Sequence, residues 1–252
     1  MKKSECIINP RSRDNQKKAE LVSILLLAEN HGYRMKSYGP ISLVSVGEIT
    51  LLEHQIQAIS SAFVNFEIVL CSGFETNKIY HFIRSKFGPS VKIRIVENQV
   101  YYHSNCCESI RLCMNNVMTD KLIICGGGVL LTTPYLKSLN LNQSSILCQD
   151  KIENNPFDVG VIKTKNEKLE SLSLAVKDNY WTEIMYLCGA TMIKSFYQIV
   201  SNPEFKNKFF FEAINSWNHR RNLTVNKNES EAIIKINNIK TLKRINKDEN
   251  FV

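Results

Sequence analysis

Residues 21–59, LVSILLLAENHGYRMKSYGPISLVSVGEITLLEHQIQAI, decide how the chain is read. Leu21–Ala28 is an apolar run of strand length interrupted only by Ser23, the pattern of a strand buried on both faces. A polar turn carrying a basic residue (29–36) and a loop (37–47) follow it. Apolar positions then resume at helical spacing with Leu51, Leu52, Ile56 and Ile59. Thr50 stands three residues before Glu53, which predicts a capping box and a helix over Thr50–Ala62. A strand, a glycine-containing turn and a helix in this order present backbone N–H groups, and here Arg34, to a phosphate.

Working outward, Phe66–Gly73 reads as a second strand and Glu75–Phe87 as a helix stopped by Gly88-Pro89. Val91–Val96 alternates as a third strand. This β-α-β-α-β order predicts a parallel sheet with right-handed crossovers. Cys106–Met118 is expected to be a helix and Lys121–Cys125 a central strand, broken by Gly126-Gly127-Gly128. Val129–Leu139 then restarts the chain, with Pro134 near the beginning of another helix. From Ser145 the pattern becomes hairpin-like, with a turn at Lys165-Asn166-Glu167. Trp181–Lys194 reads as strand-rich, Phe205–Ser216 as a helix, Leu223–Val225 and Ala232–Ile236 as short strands, and Asn238–Arg244 as a terminal helical turn. The expected fold is α/β: a Rossmann-like mixed, mainly parallel sheet flanked by helices, with antiparallel elaboration in the second half. Residues 1–20 read as a basic extension, 21–245 as one domain, and 246–252 as a short tail.

The 252 residues carry a net charge of +8, with much of the excess near the two ends, so an anionic partner or simply a basic surface is expected. No aromatic platform interleaved with basic residues marks a nucleic-acid binder, and that class ranks last. The eight cysteines contain no C-x-x-C, and several sit in apolar runs, which predicts free buried thiols in a reducing compartment. Cys106, Cys107, Cys113 and His103 have no recognised metal-ligand spacing, so no metal centre is expected there. No apolar run reaches the ~18–20 residues of a membrane span, and no secretory signal is evident. The expected location is cytoplasmic, or virion-associated if the chain is viral.

Several motifs, in order along the chain, resemble the sugar nucleotidyltransferase (MobA-like NTP transferase) family, and within it the choline-phosphate and sugar-phosphate branch. Leu27-Ala28, Gly32, Arg34 and Met35 resemble its opening signature, and Leu51-Leu52-Glu53-His54-Gln55 the helix after it. Gly73 follows a similar second strand. Glu97-Asn98, Tyr101, Ser104-Asn105 and Ser109 match a polar loop and helix start, Leu122–Leu130 the central strand, and Phe211–Ile214 a late helix. The resemblance implies nucleotide binding by Ala28, Gly32, Arg34, Gly73, Asn105 and Ser109. It also implies a reaction in which an NTP is joined to a sugar phosphate or phosphocholine with release of pyrophosphate, assisted by a lysine and by magnesium on two aspartates.

The chain departs from that pattern at its reactive positions. Asn30, preceded by Glu29, stands where a turn glycine is expected, and Ile41 where the lysine is expected. The first metal aspartate falls in the glycine triplet, at Gly128, and the second at Asn237, two residues after Lys235. The expectation is therefore a nucleotidyltransferase-like protein without catalytic or metal-binding residues and without a cofactor. It would act as a binding or assembly module, for instance a viral structural part, with a nucleotide or sugar nucleotide as ligand and a protein partner on the 1–20 arm. The alternative is an active magnesium-dependent transferase with relocated carboxylates, for which Asp150, Asp158 and Glu183 are the candidates.

Overall fold

The computed structural model describes residues 20–88, 91–150, 158–176, 178–219, 221, 223–227 and 233–247. The 1–20 extension, apart from Glu20, and most of the tail after Asn246 lie outside the described residues.

Strand β1 (Val22–Leu27) is buried along its whole length and lies at the centre of the sheet. Its alternating side chains feed two cores, as the two-residue period of a strand requires. Leu25 and Leu27 face one cluster with Phe196, Ile214 and Trp217, while Ile24, Leu26 and Ala28 face another with Leu52, Ile59 and Tyr135. After a short hairpin of β2 (Ser45–Val46) and β3 (Ile49–Thr50), the crossovers that cover these faces are α1 (Leu51–Ala62), α2 (Thr76–Lys86) and α3 (Cys106–Met114). They connect β4 (Phe66–Ser72), β5 (Ile93–Glu97) and β6 (Lys121–Gly126) to β1 in the parallel order β5-β4-β1-β6. The order reverses between β1 and β6. A crevice outside the carboxyl ends of the strands is expected there.

Helix α1 begins as its sequence predicts. Thr50 Oγ1 accepts a hydrogen bond from the Glu53 backbone N–H at 3.2 Å, and a Glu53 carboxylate oxygen accepts one from the Thr50 N–H at 2.9 Å. Thr50→Ala is expected to cost ~1 kcal/mol and to lower Tm by about 2–4 °C, whereas Thr50→Ser keeps most of the stability; a thermal melt of the pair checks this. Glu53 is therefore a capping residue, and His54 Nε2 is bonded to the Val46 carbonyl at 2.8 Å.

The second half adds antiparallel strands, as expected, though several elements differ from the sequence reading. Within Val129–Leu139 the helix beginning near Pro134 is α4 (Thr133–Lys137), but ahead of it an unexpected β7 (Val129–Leu130) pairs antiparallel with β13 (Ile234–Lys235). Trp181–Lys194 is strand only in its first half. β11 (Tyr180–Cys188) stops at Gly189, whose φ of 95° suits glycine, and helix α5 (Ala190–Val200) follows. β11 pairs antiparallel with β6 on one side, and β8 (Ser145–Gln149) and β9 (Gly160–Lys163) flank its other side. β9 and β10 (Leu169–Ser173) form the expected hairpin. The late helix α6 begins at Phe210, later than the spacing suggests, and runs to Asn218. β12 (Thr224–Lys227) pairs parallel with β8, and α7 (Ile239–Ile245) closes the domain.

A third, smaller core lies under the loop after β1. Met35, Ile41, Val44, Val46, Leu130, Ile234, Ile236, Leu242 and Ile245 pack together in it. The β7–β13 pair and α7 thus cover the 31–47 loop, and Ile41 belongs to that core. The cysteines described are free thiols, most of them buried, and Cys6 lies outside the described residues. Among the described residues no helix is long and apolar enough to cross a membrane.

Candidate functional site

A cavity of about 410 Å³ opens where the strand order reverses. Leu27 at the end of β1 and Gly126 at the end of β6, which are register partners, both line it. The glycine triplet forms one wall, and each of its members permits a close approach. A Cβ on Gly127 would lie 2.1 Å from the Leu27 carbonyl oxygen, and one on Gly128 would lie 2.7 Å from that of Ile236. A Cβ on Gly126 would meet the Glu183 carboxylate at 2.5 Å. At Gly127 and Gly128 the obstacle is backbone, so no side chain fits there as the backbone stands; at Gly126 it is the Glu183 side chain.

The 31–47 loop and the end of β13 meet the triplet. The Ile236 N–H donates to the Gly128 carbonyl at 2.7 Å, and the Tyr33 N–H donates to the Asn237 carbonyl at 2.9 Å. Gly32, at φ 73°, packs beside Ile41, whose Cδ1 would be 3.0 Å from a Cβ there. The Ile41 side chain therefore fills the space between Gly32 and Gly128. The Asn237 carboxamide oxygen accepts from Asn238 Nδ2 at 2.7 Å.

Ionisable groups gather on the other side. Glu29 is 3% exposed and lines the cavity. One of its carboxylate oxygens takes a long 3.4 Å bond from Asn30 Nδ2, and the other, Oε2, has no hydrogen-bond partner. Burial pushes its pKa up to about 7; its own backbone N–H and the Ser109 hydroxyl pull it down, and the Glu183 charge adds to the rise. Lys235 Nζ lies 2.6 Å from Asp158 Oδ1 and 3.7 Å from Glu183 Oε1. Burial lowers the Lys235 pKa, but the Glu183 and Asp158 carboxylates outweigh it and hold the ammonium above its ordinary value. Glu183 has φ 63°, uncommon for a residue with a side chain, within the register irregularity of β11 between Trp181 and Met185. Asp150 is elsewhere: it pairs with Lys227 at 3.0 Å, is largely exposed and does not line the cavity. Among the described residues no three His, Cys, Asp or Glu side chains gather as a metal-holding group.

Aromatic side chains complete the wall. Trp181 stacks edge-on against Phe210 with ring centroids 5.0 Å apart, and Phe209 and Phe211 stack with centroids 5.9 Å apart. All four line the cavity.

The residues named from the sequence divide into three groups. Gly32 and Asn105 line the cavity, and Asn105 also caps α3 by accepting from the Cys106 N–H at 2.8 Å. Ser109, Gly73 and Ala28 are not in the lining but lie beside Glu29, which is. Ser109 accepts from Asn98 Nδ2 at 3.0 Å, and Gly73 lets the chain run close enough for the Phe74 N–H to bond the Glu29 carbonyl at 2.9 Å. Ala28 is buried at the end of β1, beside Glu29. Arg34 is exposed, outside the lining, with its guanidinium 5.1 Å from the Tyr33 ring centre. Trp181 and Phe209–Phe211 were not anticipated as lining. The signal for the three phenylalanines was the FFF run at the start of α6, which reads equally as core.

No family model matches the sequence. The bifunctional protein GlmU of Campylobacter hominis is 26% identical over 197 residues, which cover 75% of this chain; the chain spans 44% of that relative's length. Among solved structures, the CTP:phosphocholine cytidylyltransferase of Streptococcus pneumoniae superposes with a TM-score of 0.74 at 14% identity, covering 90% of this chain and 98% of its own. The glucose-1-phosphate thymidylyltransferase of Bacillus anthracis, so described only provisionally, gives 0.71 at 18% identity, over 90% and 94%. UDP-glucose pyrophosphorylase gives 0.74 at 9%, over 90% and 97%. Strand order, switch-point cavity and these superpositions agree: the chain has the fold of the sugar-phosphate and choline-phosphate nucleotidyltransferases.

Proposed function

We propose that this chain is a binding module on a nucleotidyltransferase fold, taking a ligand in the switch-point cavity without performing nucleotidyl transfer. One observation carries the reading: Gly128 admits no side chain, Asn237 stands beside it, and Ile41 fills the space between Gly128 and Gly32. Magnesium takes oxygen ligands, usually one or two carboxylates together with substrate phosphates. The carboxylates lining this cavity are Glu29, half-protonated near pH 7, and Glu183, which faces the Lys235 ammonium. The residues present do not fit that ion.

The electrostatics point the same way. Glu183, Asp158 and a partly ionised Glu29 outweigh the single Lys235 charge, so the cavity repels a triphosphate that arrives without a cation. A nucleobase or a sugar against the aromatic wall, bonded to Asn30, Asn105 or Glu29, suits the lining better than the phosphates do. A partner protein on the basic 1–20 segment would make the module part of an assembly.

A second reading rests on Glu29 and Glu183 both lining the cavity: an active magnesium-dependent transferase with relocated carboxylates, joining an NTP to a sugar phosphate or phosphocholine. A thermal-shift screen of the full chain with each common NTP, with and without Mg²⁺, separates the two. The binding-module reading predicts no magnesium-dependent rise in Tm with any nucleotide. A magnesium-dependent rise of several degrees would establish a metal–nucleotide seat and favour the transferase.

A further inference from the structure

Lys235 is held in a way that ordinary surface ion pairs are not. Its side chain is 11% exposed and the Asp158 side chain 12%, while Glu183, at 42%, is the looser partner; Lys235 and Glu183 both project from paired strands. Lys235 sits on β13 opposite Val129, the residue after the triplet. Glu183 reaches it from a backbone in the left-handed region, and its other oxygen, Oε2, occupies the space that a side chain on Gly126 would take. Two carboxylates from separate elements thus converge on one nitrogen at the edge of a cavity. Glu29, buried over nine-tenths of its surface, lines the same cavity, and its Oε2 is buried without a hydrogen-bond partner. Two carboxylates converging on a common centre are oxygen donors of the kind a hard divalent cation takes, together with water.

We propose that Lys235 is a built-in cation: its ammonium occupies the seat made by Asp158 and Glu183, so that the wild-type cavity takes no divalent ion and a variant without the ammonium takes one. The inference rests on reading the cavity as lacking a metal seat of its own. A lysine brings one positive charge where magnesium or manganese brings two, and it can be neither chelated nor exchanged. Ligand binding by the wild-type chain is therefore indifferent to EDTA. The lysine also fixes β13 against β11 and the start of β9, the role an ion bridging the same carboxylates would play.

The test is a Mn²⁺ titration of the full-length wild type, Lys235→Met and Lys235→Met/Glu183→Gln, followed by the loss of the free-ion electron paramagnetic resonance signal and by Tm. The wild type is expected to leave the signal unchanged, and EDTA to leave its Tm unchanged. Lys235→Met is expected to take up one Mn²⁺ and to gain about 5–10 °C in Tm at about one hundred times its Kd. The double variant is expected to lose most of that uptake. If Lys235→Met is unfolded alone, its refolding on addition of Mn²⁺ supports the assignment. A Lys235→Met chain that takes up no Mn²⁺, or stays unfolded in it, overturns the inference, as does Mn²⁺ uptake by the wild type that Glu183→Gln abolishes. Magnesium-dependent turnover of nucleotides by the wild type would instead overturn the binding-module reading, so the two failures are distinguishable.

Discussion

Glu29→Gln is expected to stabilise the folded chain by about 3 kcal/mol more at pH 8 than at pH 4, a difference of roughly 6–12 °C in Tm. The Glu29 carboxyl titrates near pH 7 in the folded chain, against 4.5 for the same group in water. Below pH 4.5 it is protonated in both the folded and unfolded states and costs nothing. As pH rises from 4.5 to 7 the unfolded chain releases this proton while the folded chain keeps it, so stability falls through that window. Above pH 7 both states are ionised and the loss is complete. Burial is the largest cause of the shift, which makes the expected penalty intrinsic to the site. A glutamine has no charge to bury and removes the slope, although its own imperfectly paired amide costs about 1 kcal/mol at both pH values. Thermal melts of wild type and variant across pH 4–8 read the difference directly. Parallel curves would show that Glu29 reaches solvent or a counter-charge in the folded chain.

The second large effect is expected from Gly127→Ala. Its new Cβ would stand 2.1 Å from the Leu27 carbonyl oxygen and 2.9 Å from the Ala28 Cα. Both are backbone atoms of the central strand, so neither can rotate away as a flexible side chain could. Relief requires β1 and β6 to separate at the register where Leu27 and Gly126 pair. The cost is expected to be about 3 kcal/mol or more, seen as a large fall in Tm or as loss of soluble protein. Gly128→Asp meets a similar obstacle at the Ile236 carbonyl, 2.7 Å from the Cβ position. Replacing Gly128 and Asn237 by aspartates is therefore not expected to restore a metal site on this backbone.

How far the sequence reveals the molecule depends on the range of the interactions involved. β1, α1 and the β4–α2–β5 succession were legible because their signals are local: an apolar run, a capping pair, an alternation. Thr50 and Glu53 lie three residues apart and announce the helix start on their own. β7 was not legible, because it is two residues long and exists through its pairing with β13, about a hundred residues later. α5 was hidden for another reason. Its residues ATMIKSFYQIV follow an apolar strand with no proline or charge cluster between, and only Gly189 marks the change.

The site divides in the same way. Asn30, Ile41, Gly128 and Asn237 stood out because each occupies a position where the motif pattern predicts another residue, and Glu29 because it adds a carboxylate beside Asn30. Their convergence, with Ile41 filling the space beside Gly32 and Gly128, is tertiary. The Lys235–Asp158–Glu183 group comes from three separate elements and had no sequence spacing to betray it, although Asp158 and Glu183 were candidates singly. Trp181 and Phe209–Phe211 look like core residues in sequence; only the packing shows that they face a cavity.

The central claim is that this chain keeps the architecture and cavity of a nucleotidyltransferase without its transfer chemistry. Pyrophosphate release tests it most directly, measured on the purified full-length chain with each common NTP, a panel of sugar phosphates and phosphocholine, in Mg²⁺ or Mn²⁺. The account predicts no release above a no-enzyme control with any pair. Substrate-dependent, metal-dependent release through repeated turnovers would contradict it and establish the transferase reading in its place.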